Sequence, residues 1–511
     1  MFARQKKNKS GSVSVQVIAK QARKYIVVTT VGSSRDPDEI QRLWQRAQQL
    51  ARSGDPAQQK LLAIESNVDT AVRNTMQSLA NSSIRTVGPE LIFGTLFDRI
   101  GFNQIPDELF RHLIIARLSF PLSKLKTADY LNRYEGVKWS VSALYAFLDR
   151  LNKRYKAQAE RIAYEHTRKR LETITIVFYD MTTLYFEAED EDDLRKIGYS
   201  KDGKFQQPQI MLGLLVGEAG LPIGYDIFTG NTFEGHTLLP ILKQIQKKYG
   251  FDQPVVVADA AMLSKENLTK LGAAKYRFII GARVKIETTA VKKEILEKAE
   301  GIQNQEHFTI RKKDGTRLIV TYSDKRARKD ARNREKGITR LEKRVQGGKL
   351  TKTSINNRGY NKFLVLDGEI KVAIDKEKVT EDEKWDGLKG YVTNTDLEAE
   401  SVVSNYGHLW QIEKAFRISK TDLRIRPIYH YKRSRIEAHI CIAFVSYAIY
   451  KELEMLLKKK GLAMSAKRAG ELSQNMYEIQ YVLPQSGISQ KQLLQMTDEQ
   501  QLLIDAVRVQ S

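Results

Sequence analysis

The chain has 511 residues, 41% of them hydrophobic, which is enough for a large core shared among several domains. Lys and Arg outnumber Asp and Glu by 84 to 61, and the formal charge of +23 points to a polyanionic partner such as nucleic acid. One cysteine, Cys441, excludes an internal disulfide framework, the seven histidines lack zinc-site spacing, and the apolar run 440–450 is too short to cross a bilayer.

Residues 1–87 read as an accessory region. The alternation over 13–17 and the β-branched run 25–31 predict strands, Gly32-Ser33-Ser34 a turn, 38–51 a helix and 76–86 a polar linker. Residues 88–170 read as a helical domain with tight turns and exposed bases at Lys153, Arg154 and Lys156, which suits DNA binding. From 172 the pattern changes. Strands are expected at 174–179, 210–216, 222–228, 254–258 and 276–282, with amphipathic helices at 236–249 and 265–271. That order gives an α/β sheet of mixed direction, the core over 172–285 and 388–450. Residues 286–387 read as an insertion subdomain, with hairpin signals at Asp314-Gly315 and Asp367-Gly368 and a basic helix over 324–344. A strand is expected again at 390–393, a long helix over 397–420, another over 434–459, and a C-terminal helical region over 451–511.

Three acids stand out. Asp180 ends the apolar run 174–179, and Asp259 closes Val255-Val256-Val257-Ala258; a charge at the end of a buried strand is costly unless it is used or paired. Glu413 lies in a helical pattern where Tyr406, Glu413 and Lys420 recur every seven residues on one stripe, with Arg417 one turn on and Leu409, Ile412 and Phe416 on the adjoining flank. Carboxylates at strand ends and on a rigid helix are the donors that a hard divalent cation needs. Read alone, each acid is equally a strand-end cap or, for Glu413 and Arg417, an ordinary ion pair one turn apart.

At these residues the sequence resembles the DDE transposases of bacterial insertion sequences, in the insertion-sequence-four superfamily. Phe178-Tyr179-Asp180-Met181-Thr182-Thr183 resembles the motif of the first aspartate, and Val257-Ala258-Asp259-Ala260-Ala261-Met262 that of the second. Gly230-Asn231 with Glu234 and His236 resembles the loop between them, and 406–420 continuing to Arg426-Pro427-Ile428 the tyrosine-arginine-glutamate-lysine signature. The resemblance covers roughly 172–450. It implies an RNase H-like mixed-sheet core with a mostly β insertion. It implies that Asp180, Asp259 and Glu413 bind two Mg²⁺ or Mn²⁺ ions, and that Tyr406 and Lys420 contact DNA phosphates. Leu409 stands where the signature has arginine, with Trp410, Lys414 and Arg417 beside it as substitutes in holding DNA, which leaves a hairpin intermediate open. The implied activity is metal-dependent cleavage and strand transfer at the inverted repeats of the element's ends, on double-stranded DNA, by a homodimer in the cytoplasm at the nucleoid and away from membranes. An RNase H-like nuclease that cuts without joining, and a non-catalytic DNA-binding derivative, are the alternatives.

Overall fold

The computed structural model describes residues 1–21, 24–53, 84–200, 203–250, 253–262, 264–347, 352–367, 371–483 and 486–508, with 350 and several positions between 70 and 79. The chain forms two compact units, Met1–Thr86 with Tyr477–Gln495, and Val87–Met476 with Met496–Ser511.

In the first unit, β1 (Phe2–Lys7), β2 (Val13–Gln21) and β3 (Lys24–Ser34) form an antiparallel sheet. Helix α1 (Pro37–Ser53) closes Val15 and Val17 under Ala47 and Leu50. The turn expected at Gly32-Ser33-Ser34 is strand instead, because Ser33 and Ser34 pair with Ser14 and Val13, and Ser33 shares a hydroxyl hydrogen bond with Ser14 at 2.6 Å. The expected linker 76–86 lies largely outside the described residues; its end is strand β4 (Ile84–Thr86).

The second unit begins with helices α2 (Thr95–Ile100), α3 (Glu108–Ser119), α4 (Lys124–Tyr130), α5 (Val141–Arg150) and α6 (Lys156–Leu171). Short polar side chains start three of them: Asp107 accepts from the Leu109 N–H, Ser123 from Lys126 and Ser140 from Ala143. Then come β5 (Ile176–Tyr185), β6 (Gln209–Val216), β7 (Pro222–Thr229), α7 (Leu238–Tyr249), β8 (Val255–Ala258), α8 (Lys265–Ala273) and β9 (Arg277–Ala282). Next are α9 (Thr289–Ala299), β10 (His307–Arg311), β11 (Arg317–Tyr322) and α10 (Asp324–Gln346), followed by β12 (Leu364–Asp367), β13 (Lys371–Ile374), α11 (Lys376–Glu383) and β14 (Leu388–Thr393). The chain continues through α12 (Ala399–Gly407), α13 (Trp410–Arg417), a π-helical turn (Ile418–Asp422), α14 (Arg433–Lys459) and α15 (Ala466–Ser473).

Strands β15 (Tyr477–Val482) and β16 (Ser489–Leu493) then pair with β4 in the first unit, and α16 (Asp498–Arg508) ends the second. The region 451–511, expected to be helical, therefore contains a strand pair.

The main sheet has eight strands in the order β10-β11-β14-β9-β8-β5-β6-β7. β5, β8 and β9 run parallel and the remaining pairs antiparallel, the mixed direction that the sequence pattern predicts. Residues 286–387 do not all stand apart from it, since the hairpin β10–β11, turning at Gly315 with φ +83°, extends the sheet beyond β14. The second expected hairpin is the pair β12–β13; Gly368 in its turn is outside the described residues.

Strand alternation sends side chains to two faces. Val177, Tyr179, Met181, Val256, Ala258 and Ile280 pack on one side with α7. Phe178, Leu184, Val257, Ile279, Ile319 and Tyr391 pack on the other, in one core with the N-terminal helices, α12, α13 and α14. The helical stretch 88–170 thus shares its interior with the sheet. Helix α14 is buried around most of its surface, including Cys441 at 0% exposure, whose thiol burial pushes well up from the usual range. Among the described residues, no helix is long and apolar enough to cross a membrane.

Glu452 on α14 is 1% exposed and holds α6 in place, accepting from His166 Nε2 at 2.9 Å and from the Arg170 guanidinium. Burial would raise its carboxyl, but these hydrogen bonds outweigh burial and hold it below the usual range. Glu452→Gln should destabilise the protein by about 3 kcal/mol at pH 7, measured by denaturant unfolding. A depressed carboxylate contributes above its unfolded pKa and loses that contribution on acidification, so the gap to wild type should close below about pH 4. A pH-independent gap would show that the carboxylate's charge is not what matters.

Candidate functional site

Sheet register brings the first two acids together. Tyr179, Ala258 and Ile280 sit side by side on the parallel strands β5, β8 and β9. One residue further along each strand are Asp180, Asp259 and Gly281, and Gly281 lies opposite Tyr391 on β14. Alternation turns all four toward the face that carries Phe178, Val257 and Ile279, the face covered by α12 and α13. Asp259 directly follows the last residue of β8, whereas Asp180, expected at a strand end, lies mid-strand because β5 runs on to Tyr185 through its pairing with β6; the two acids stand on neighbouring strands, which lie about 4.8 Å apart in any sheet. Asp180 is half-buried and accepts from the Met181 N–H at 2.7 Å, while Asp259 is exposed and accepts from the Ala260 N–H at 2.6 Å.

The helix expected over 397–420 is broken. α12 ends at Gly407, where His408 N–H and Leu409 N–H bond back only three residues, to Asn405 and Tyr406; α13 begins at Trp410 and gives way to the π-helical turn after Arg417. The stripe of Tyr406, Glu413 and Lys420 is consequently not one straight helical face. Tyr406 belongs to α12, and is only 7% exposed. Its ring meets Tyr391 edge-on at 4.8 Å, passes over Gly281, and presents its hydroxyl to Asp259 Oδ1 at 3.3 Å. A Cβ on residue 281 would overlap that hydroxyl, so the glycine makes the approach possible. Burial first, and the Asp259 charge second, raise the Tyr406 phenol well above its usual range.

Glu413 is exposed on α13, which lies against β5 and β6 through Ile412 and Phe416. Lys389 links it electrically to Asp259. The ammonium stands 4.5 Å from the centre of the Tyr406 ring and 5.3 Å from that of Tyr391. Burial and Arg326 lower its pKa, and the charges of Asp259 and Glu413 oppose that shift. Lys389 also lines an open cavity of about 500 Å³ with Arg283, Lys285, Arg326 and Lys362. Among the described residues, however, no three His, Cys, Asp or Glu side chains are gathered closely enough to hold a metal ion. The donors suit a hard cation in kind, being carboxylates, and two of the three are neighbours.

The other expected residues are dispersed. Trp410 is 53% exposed and Arg417 is also exposed. Lys414 is engaged by Glu454 on α14, and Lys420 is half-buried in the π-helical turn. Leu409 is buried in the core. In the loop after β7, the Gly230 carbonyl accepts from Gln209 Nε2 at 3.0 Å, and Glu234–His236 forms a single turn before α7. Gly281, Lys389 and Tyr391 were not singled out from the sequence. A glycine inside the strand pattern Ile279-Ile280-Gly281-Ala282 was the available signal of close approach.

The family model described as "Transposase DDE domain" matches residues 171–449. A transposase for the insertion sequence element IS231E of Bacillus thuringiensis subsp. finitimus is 32% identical over 123 residues, 22% of this chain and 26% of that relative. The chain thus spans about a quarter of the length of that curated relative. Among solved structures, the piggyBac transposase synaptic complex with hairpin DNA aligns over 76% of each chain, at 10% identity and a TM-score of 0.38. The Mos1 transposase paired-end complex with the left transposon end aligns over 33% of this chain and 56% of that one, at 12% identity and a TM-score of 0.16.

Replacing Asp259 by Asn should lower the Tyr406 titration midpoint, followed by NMR of ¹³C-labelled tyrosine, because a neighbouring negative charge is removed. Gly281→Ala should also lower it by pushing the phenol away from the acid. An unmoved Tyr406 signal in both variants would show that the phenol does not face Asp259 in solution.

Proposed function

The chain belongs to the transposase DDE domain family, and from that premise we propose that it is the transposase of a bacterial insertion sequence of the insertion-sequence-four type. It binds the inverted repeats at the ends of its element as a homodimer on double-stranded DNA, cuts there, and joins the freed ends to target DNA. It works in the cytoplasm at the nucleoid. The core is RNase H-like, a reading supported by the strand order β7-β6-β5-β8-β9 and by acids within β5 and directly after β8.

The observation that carries this reading is the adjacency of Asp180 and Asp259 on parallel strands, facing the side of the sheet where α13 carries Glu413. These three carboxylates would hold two Mg²⁺ or Mn²⁺ ions, Glu413 joining the pair when DNA arrives. Bound there, the ions would acidify water and neutralise charge on the phosphate and the leaving oxygen. In the first reaction water adds to the scissile phosphorus and the 3′ oxygen leaves with a proton; in the second, that 3′ hydroxyl attacks a target phosphodiester and displaces its 3′ oxygen. Neither needs a covalent bond to the protein.

The chain's own residues position these groups. The Tyr406 hydroxyl donates to Asp259 and fixes its orientation, so Tyr406 is a positioning residue here rather than the direct phosphate contact that the resemblance implies. Lys389 supplies positive charge beside Asp259 and Glu413. Trp410 and Arg417, both exposed on α13, contact the DNA; Lys414 and Lys420 border the same track. With Leu409 turned into the core, Trp410 and Arg417 are also the residues available to hold distorted DNA.

Asp180→Ala, Asp259→Ala and Glu413→Ala should each reduce Mg²⁺-dependent end cleavage by at least about 10³-fold while sparing end binding, measured on labelled duplex ends. A variant that still cuts at the normal rate removes its residue from the site. Chelation with EDTA should stop cleavage and added Mn²⁺ restore it. Cut ends without any joined product would favour a nuclease, and binding without cleavage by the wild type a non-catalytic derivative.

In a second series, Trp410→Ala and Arg417→Ala should weaken binding of the end duplex roughly tenfold. Lys414→Ala should do less, because its ammonium is already engaged by Glu454. Equal binding by all three would take α13 out of the DNA interface.

A further inference from the structure

A cluster of buried cations lies where α3 and α4 meet the segment after the π-helical turn. Arg117 and Lys124 are each only 6% exposed. The Arg117 guanidinium donates to the carbonyls of Leu423 at 3.2 Å and Arg424 at 3.3 Å, so it holds the chain but meets no carboxylate there. Together with Arg424, Arg426, His430 and His439 they line an open cavity of about 520 Å³ that has no Asp or Glu in its wall. Among the described residues, neither Arg117 nor Lys124 has an acidic ion-pair partner.

Buried charge of one sign is unfavourable, and its usual remedy is a carboxylate. Among the described residues none lines this cavity. Burial lowers Lys124 well below its usual range with Arg117 adding to the effect, burial lowers Arg117 to about 10, and burial with Lys124 and Arg117 pushes His430 down to about 3. An arrangement that withholds counter-charge from Arg117 and Lys124 while leaving a cavity in front of them is complete only when an anion enters. The donors also match such an anion: a guanidinium, an ammonium and the His430 imidazole at one cavity supply N–H groups to tetrahedral oxygens. Tyr429, 62% exposed and also lining the cavity, offers an aromatic face beside it.

We propose that this cavity is a phosphate-binding site that takes a backbone phosphodiester of bound DNA. The phosphate chemistry stands on the cavity alone; its source in DNA rests on the transposase reading above. The site lies on the helical side of the second unit and uses none of Asp180, Asp259 and Glu413, so it serves DNA holding rather than bond breaking.

The test uses the full chain and its Lys124→Met and Lys124→Gln variants, with two readouts. The first is thermal unfolding in phosphate-free buffer, then with sodium phosphate against sodium chloride of equal ionic strength. Wild type should gain stability from phosphate beyond chloride, and either variant should lose that gain while melting no lower than wild type without phosphate, since an uncompensated cation has gone. The second is fluorescence anisotropy with a labelled random-sequence 30-bp duplex across a salt series. Loss of one phosphate contact should reduce the slope of log affinity against log salt by about 0.9 and weaken binding several-fold.

A phosphate effect that persists in both variants, or is missing in wild type, overturns the site. A phosphate effect lost in the variants with an unchanged salt slope means the cavity takes free phosphate only, and overturns the assignment to DNA. Failure of the catalytic reading is read separately, as absence of end cleavage by the wild type, and leaves the phosphate-dependent stability that reports this site unaffected.

Discussion

The parallel pairing of β5 with β8 is the constraint on which the rest depends. Asp180 stands within β5 and Asp259 directly after β8, and the register that sets Tyr179 beside Ala258 also sets Asp180 beside Asp259. A slip of one residue would turn one acid to the opposite face and bury it among Met181, Tyr179 and the residues of α7. Burial of both sheet faces prevents that slip, since each strand contributes large apolar side chains alternately to two cores. The energetic work of keeping two like charges adjacent is thus done by Phe178, Val257 and Ile279 rather than by anything at the acids themselves.

The helices add the second part of the arrangement. Gly281 leaves a gap in the row of side chains, and the Tyr406 ring crosses it to reach Asp259 while resting on Tyr391. Lys389, on the strand beyond, lies over the same ring and balances the acids. The break between α12 and α13 lets the two halves serve different purposes. α12 buries its tyrosine against the sheet, and α13 keeps Glu413, Trp410 and Arg417 at the surface. Acid orientation and surface exposure therefore fall to separate short helices.

Cations in this chain fall into two kinds. Those on α10 are mostly solvent-facing, apart from Arg334, which is clamped to Asp386 through two hydrogen bonds of 2.6 and 2.7 Å. Such a helix contributes a diffuse attraction to polyanions that salt screens readily. Arg117 and Lys124 are different, because burial removes that screening and makes each more selective for an anion placed directly before it. The net charge of +23 thus understates how unevenly the cationic groups are deployed.

The sequence by itself determined most element types and the mixed direction of the sheet, and it singled out three candidate acids. The reason is local: strand alternation, helix caps at Asp107, Ser123 and Ser140, and acids closing apolar runs are written in neighbouring residues. Only the tertiary structure decided that β10 and β11 widen the main sheet, that β15 and β16 join β4, and that Tyr406 turns inward to Asp259. It also decided the row from Asp180 to Tyr391 and the seating of Arg117 against Leu423 and Arg424. Those facts depend on strand order and on contacts between residues hundreds of positions apart, and periodicity along the chain carries information about which face a side chain takes but none about what stands opposite it.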